Sequence, residues 1–176
     1  MVGLFCKHCG AKIDDNSSFC IVCGGQLGEG KESSSEPIAD KENYLKLGDF
    51  EFESHNYQKA LEYFDKALVI DPEYVEAWIK KGLALRSQGG FERAIRCYDK
   101  ALEIDPNRAE VWYNKGIALR GLGRFDEAVK FYDKALELDS TLHKAWINKA
   151  LALDALGRSE EASECYSKAR EVSKDT

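Results

Sequence analysis

Residues 75–108 read VEAWIKKGLALRSQGGFERAIRCYDKALEIDPNR, and residues 109–142 read AEVWYNKGIALRGLGRFDEAVKFYDKALELDSTL. The second string keeps the spacing of the first while varying its side chains. Extending the frame both ways gives four gapless copies of 34 residues, at 41–74, 75–108, 109–142 and 143–176. Tyr44, Trp78, Trp112 and Trp146 fall in register, as do Gly48, Gly82, Gly116 and Ala150. Ala60, Ala94, Ala128 and Ala162 follow, then Phe64, Tyr98, Tyr132 and Tyr166, then Ala67, Ala101, Ala135 and Ala169. A period between about 20 and 50 residues marks a solenoid, in which each unit buries a face against its neighbours.

Each unit divides into two helical patterns. In the second copy the expected helices are Val75–Gln88 and Phe91–Ile104, separated by Gly89-Gly90 and closed by Asp105-Pro106. The other inter-helix turns carry His55-Asn56, Gly123 and Gly157, and Asp71-Pro72 closes the first unit. Glycine tolerates left-handed φ and proline cannot continue a helix, so these are stop signals with a mechanism. Small residues such as Gly82 and Ala94 are expected to let the paired helices approach closely, with Trp78 and Tyr98 filling the space beside them.

This pattern resembles the tetratricopeptide repeat over residues 41–176. The resemblance implies an all-α, right-handed superhelical solenoid of four helix-turn-helix repeats. Lys81, Lys115 and Lys149 stand where the family usually has leucine, and only Leu47 conforms. Long lysine stems can lie on apolar surface with the ammonium in water. In the fourth copy Ser159, Ser163 and Arg170 replace apolar residues of the earlier copies. Terminal repeats need a polar outer face, so this copy is expected to act as its own cap and to complete the chain at this end.

In tetratricopeptide arrays the first helix of each pair lines a concave groove that receives ligands. Carried over position by position, the resemblance assigns the groove to Leu45, Phe52, Ile79, Leu83, Arg86, Tyr113, Ile117, Arg120, Ile147 and Leu151. Two apolar rows result: Leu45, Ile79, Tyr113 and Ile147, and beside them Leu83, Ile117 and Leu151. The bland alternative is that these side chains pack between helices as core. Some family members clamp a terminal carboxylate with lysine and asparagine at set groove positions. The two registers available here offer Leu45, Asp49, Lys80, Glu110 and Asn114, or Ile79, Leu83, Asn114, Lys144 and Asn148. Neither supplies the cationic set.

Ahead of the repeats, Cys6-Lys7-His8-Cys9-Gly10 and Cys20-Ile21-Val22-Cys23-Gly24 form two CxxC units ten residues apart. Paired knuckles of this kind place four thiolates around a tetrahedral site that suits Zn²⁺. Lys12-Ile13 reads as a short strand running into a turn. Phe5, Ile13, Phe19 and Leu27 are too few to form a core, and a domain this small usually needs a metal to fold. Four cysteines leave no open ligand position, so one structural zinc per chain is expected, with iron the competing occupant and His8 an exposed loop residue. Residues 6–27 resemble the short zinc-ribbon module, although Lys7 and Ile21 stand where it often has proline. The domain reading is therefore a ribbon at 1–27, a linker at 28–40 rich in Gly, Ser and charge, and repeats at 41–176.

The net charge is −6. In the linker, Lys31 against Glu29, Glu32, Glu36 and Asp40 leaves −3. Without the basic clusters that drive counterion release, nucleic-acid binding is disfavoured. No apolar run approaches the ~18 residues of a membrane span. Cys97 and Cys165 lie two repeats apart, beyond disulfide reach, and are expected to be free thiols. The expected function is a non-enzymatic cytoplasmic scaffold binding a protein or peptide partner, with no small-molecule substrate. The competing reading is a ribbon that joins transcription or translation machinery while the repeats recruit a partner.

Overall fold

The computed structural model describes residues 4–5, 12–13 and 40–173. Strands β1 (Leu4–Phe5) and β2 (Lys12–Ile13) pair antiparallel, Leu4 opposite Ile13 and Phe5 opposite Lys12. Eight helices follow among the described residues: α1 (Lys41–Glu53), α2 (Tyr57–Ile70), α3 (Val75–Ser87), α4 (Phe91–Ile104), α5 (Ala109–Gly121), α6 (Phe125–Leu138), α7 (His143–Ala155) and α8 (Ser159–Val172). The chain forms two compact units, 1–80 and 81–176, whose division falls within α3.

In residues 1–80, α1 and α2 pack as a helical hairpin. Ala67, Leu68 and Ala77 are buried, with Tyr44, Leu45, Tyr74 and Trp78 packed against them. A Cβ added to Gly48 would meet the Phe64 ring at 2.3 Å. His55 takes a left-handed φ of 60° in the α1–α2 turn, where the later turns use Gly89, Gly123 and Gly157. The Lys41 ammonium donates to Asp71 at 2.6 Å, and Lys80 pairs with Asp49 at 3.0 Å.

In residues 81–176, α5 packs on α6 and α7 on α8, and the hairpins join through α4–α5 and α6–α7 contacts. Cβ atoms at Gly82 and Gly116 would lie 2.4 and 2.6 Å from the rings of Tyr98 and Tyr132. One core runs through Leu119, Ala128, Val129, Tyr132, Ala150, Ala152, Leu153, Ala162 and Cys165. The expected thiol state holds: Cys97 and Cys165 are free and buried. Ser159, Ser163 and Arg170 are exposed, whereas Val129, Leu102 and Leu136 at the earlier copies' positions are buried. The outer side of α8 is polar, as its sequence indicates.

A single motif closes the first three helical pairs. Asp71, Asp105 and Asp139 follow the last residues of α2, α4 and α6, and each Oδ1 accepts the amide N–H two residues on, at 3.0, 3.1 and 2.9 Å. The indole N–H groups of Trp78, Trp112 and Trp146 then donate to the carbonyls of Pro72, Pro106 and Ser140, at 2.8, 2.8 and 2.9 Å. The tryptophan therefore fills space and also fastens the next helix to the connection before it. Lys115 and Lys149 differ from the expectation of ammonium groups in water. They pair with Asp99 and Asp133 at 2.5 and 2.6 Å, with side-chain exposures of only 15% and 19%. The Lys115 ammonium also lies 4.1 Å from the Phe131 ring centroid.

Gly116→Ala should lower stability by about 1–2 kcal/mol, because overpacking against Tyr132 exceeds alanine's gain in helix propensity. Gly123→Asn should be nearly neutral: φ there is +74°, which asparagine tolerates, and no atom lies within 4 Å of the added Cβ. Thermal unfolding of the two variants checks this, and an unchanged midpoint for Gly116→Ala would contradict it. A hydrogen bond from Lys41 holds Asp71 below the usual carboxylate range, and one from Arg108 does the same for Asp105. A carboxylate held below its unfolded pKa contributes stability above that value and loses it as pH falls through the folded one. Melting temperature should therefore decline below about pH 4. Asp71→Asn and Asp105→Asn should shallow that decline in acid melting curves, while keeping the Oδ1 acceptor.

Candidate functional site

The first helix of each pair must bury one side against its partner and still meet a neighbour. In α5, Val111, Gly116, Ala118 and Leu119 supply the buried side, leaving Tyr113, Asn114, Ile117 and Arg120 half-buried. In α7, Ala145, Ala150, Ala152 and Leu153 are buried. Ile147 and Asn148 are half-buried there, and Leu151 is 43% exposed. The part of α3 beyond residue 80 adds Leu83 and Arg86, both half-buried.

Tyr113 and Ile117 also rest against the core, so only part of each faces outward. In residues 1–80, Leu45 and Phe52 are half-buried, the first packed on the local core and the second edge-on to Tyr57 at 5.4 Å. Ile79 is buried, with 4% exposure. It is covered by neighbouring side chains and offers a ligand no surface, so it drops out of the apolar row that the repeat register assigns.

The polar groups of 81–176 form a connected set. Arg86 Nη1 donates to Asn114 Oδ1 at 2.9 Å, and Asn148 Nδ2 donates to the Tyr113 hydroxyl at 3.2 Å and to the Lys144 carbonyl at 2.8 Å. The Tyr113 and Tyr132 rings lie 6.0 Å apart. Tyr98 and Tyr132 are fully buried, and among the described residues neither hydroxyl has a hydrogen-bond partner of good geometry. Burial pushes both phenols upward, Tyr132 to about 12, while Arg86 beside Tyr98 and Arg120 beside Tyr132 pull the other way. Among the described residues, Arg120 Nε is itself buried without an acceptor of good geometry. Thus Arg120 stands next to the Tyr132 hydroxyl without a hydrogen bond of good geometry joining them.

Sequence reading placed Arg86 and Arg120 at the groove edge but missed the tyrosines beside them. The available signal was the 12-residue offset shared by Arg86 with Tyr98 and Arg120 with Tyr132.

Tetratricopeptide-repeat models match residues 40–107, 79–143 and 131–162. This chain belongs to the tetratricopeptide-repeat proteins. A zinc-ribbon domain model matches residues 5–27. An uncharacterized protein of Methanocaldococcus jannaschii is 43% identical over 56 residues, 32% of this chain; the match spans 65% of that relative's length. Among solved structures, a crystal structure of MamA superposes with a TM-score of 0.73 at 25% identity, covering 77% of this chain and 79% of that one. MamA of AMB-1 gives 0.66 at 28% identity, covering 78% and 75%. MamA from Desulfovibrio magneticus RS-1, residue 41 to the end, gives 0.73 at 22%, covering 79% and 78%; at that identity the likeness concerns the fold alone. The repeats and these neighbours support a protein-interaction scaffold. No helix among the described residues is long and apolar enough to cross a membrane.

Cys6, Cys9, Cys20 and Cys23 lie outside the described residues. Their chemistry fits the zinc that a ribbon domain suggests, since four thiols in two CxxC pairs can fill a closed tetrahedral shell. Among the described residues no group of three or more His, Cys, Asp or Glu could hold a metal. Metal analysis of purified protein should return about one zinc per chain. Cys9→Ser and Cys23→Ser should each drive that value toward zero, and retention of full zinc by either variant would remove it from the ligand set.

Proposed function

We propose that this protein is a non-enzymatic adaptor whose repeats hold a segment of a partner protein. In 81–176 the contact surface is Leu83, Tyr113, Ile117, Ile147 and Leu151, with Arg86 and Arg120 at its edge. Leu45 and Phe52 on α1 hold the equivalent sequence register in residues 1–80 and are assigned there by themselves. The observation that carries the reading is the exposure of Leu151, at 43%, in register with half-buried apolar residues on the preceding helices. Solvent-facing apolar side chains on one face mark an interaction site, and helix-in-groove binding uses apolar anchors of this kind. The ribbon at 1–27 is held by one structural zinc on Cys6, Cys9, Cys20 and Cys23, linker 28–40 joins it to the repeats, and the working compartment is the cytoplasm.

A photo-crosslinking amino acid at position 151 should yield discrete adducts with proteins of the source cell extract. The same group at position 164, exposed on α8, should yield none of them. Equal labelling from both positions, or none from 151, would overturn the assignment of the surface.

A further inference from the structure

Terminal copies of a repeat array need a polar outer side. The last helix meets that need with Ser159, Ser163 and Arg170, all exposed, but the first does not. Phe50 on α1 is 49% exposed. At the same place in the third and fourth copies stand Ala118 and Ala152, each fully buried. Contacts on either side of that place show which face it belongs to. Lys115, the counterpart of Leu47, pairs with Asp99 of α4. A Cβ on Gly121, the counterpart of Glu53, would meet the Phe91 ring of α4 at 2.7 Å. The stripe Leu47, Phe50, Glu53 is therefore the face by which an internal first helix joins the second helix ahead of it. α1 is the first of the described helices, and the frame carries no earlier copy: Gln26, Gly30 and Ser33 stand where Ala60, Phe64 and Ala67 would recur. Alanine leaves room for a helix pressed against it, whereas phenylalanine projects a large apolar ring to be covered.

Two coverings fit this face poorly. End-to-end stacking on α8 would set the exposed Ser163 and Ser167 against it, with Leu47 and Ser167 in place of the lysine and aspartate that join internal copies. Residues 28–36, GEGKESSSE, hold no aliphatic or aromatic side chain to lay on the ring. A second α1 fits well. Lys46, Phe50 and Glu53 are all exposed, and their spacing of four and three puts them on one side of the helix. With a rise of about 1.5 Å per residue, Lys46 lies roughly 6 Å before Phe50 and Glu53 roughly 4.5 Å after it. Reversing a second helix about Phe50 sets ring on ring and brings Lys46 opposite Glu53 of the partner subunit. A two-fold axis makes that pair twice.

We propose that the protein forms a two-fold dimer in which α1 packs antiparallel on α1 of a second copy, with Phe50 at the axis and Lys46–Glu53 pairs on either side. Leu45 and Phe52 lie on the other side of α1, so the dimer does not draw on the contact surface proposed above. One helix on one helix is a small contact, so monomer and dimer exchange at micromolar concentrations.

The test is sedimentation velocity of the full zinc-loaded chain from about 1 μM to about 1 mM. The sedimentation coefficient should rise with concentration toward that of a dimer. Phe50→Ala, which supplies the residue of the internal copies, should weaken association about tenfold, since one substitution acts twice across a two-fold axis. Lys46→Glu and Glu53→Lys should each weaken it by setting like charges opposite. Mixed in equal amounts, those two variants should associate again, because each then meets its opposite charge. A chain carrying both Lys46→Glu and Glu53→Lys should associate as the parent does. All three positions are exposed, so the circular dichroism of every variant should match the parent. A chain that stays monomeric at every concentration overturns the proposal, and if Phe50→Ala then lowers the melting temperature the face belongs to residues 1–39. Association that survives Phe50→Ala, or single variants that fail to complement on mixing, puts the contact elsewhere and equally overturns it.

Discussion

The repeats depend on how closely the two helices of a pair approach. At Gly48, Gly82 and Gly116 there is no space for a methyl group, because an aromatic ring of the second helix lies where it would go. The glycine gives up helix propensity and gains burial of Phe64, Tyr98 or Tyr132, each at 0% exposure. With the ring fixed, the crossing of the helices and the position of the ring's far end follow. For Tyr98 and Tyr132 that far end is a hydroxyl, delivered beside an arginine of the first helix. The contact that holds a hairpin together thus also sets the chemistry beside the half-buried face of its first helix.

Much of this was legible in the letters. Periodicity located the helices, and Gly89, Gly123 and Gly157 marked the left-handed turns that the structure contains. The substitutions at Ser159, Ser163 and Arg170 announced a polar outer face. Other features lay outside what pattern reading resolves. Ile79 shares its register with Tyr113 and Ile147, yet it is buried while they are half-buried. Identical register does not fix exposure, which depends on the bulk of neighbouring side chains. The lysines at 115 and 149 read as amphipathic fillers because nothing adjacent in the sequence names a partner. Their partners Asp99 and Asp133 sit 16 residues earlier at the same period, and only packing shows that the two meet. The four cysteines were legible as chemistry before any geometry, because their spacing alone restricts the ions that suit them.

The second and third copies differ from the flanking ones at one pair of facing positions. Repeat one places Phe52 and Phe64 at the position where repeats two and three place Arg–Tyr and repeat four places Asp–Tyr. From copy to copy in the sequence this position passes from apolar, through cationic, to anionic.

The ion pairs Lys115–Asp99 and Lys149–Asp133 link a first helix to the second helix of the copy before it. The aspartate recurs at 65, 99 and 133, but the fourth copy has Ser167 at that place. An internal copy therefore presents a socket to whatever follows it, and the last one does not. In engineering terms the middle units are stackable bricks: another copy of 109–142 could be spliced in after residue 142 and find its aspartate waiting, whereas the same brick grafted behind α8 would bring a lysine to a hydroxyl.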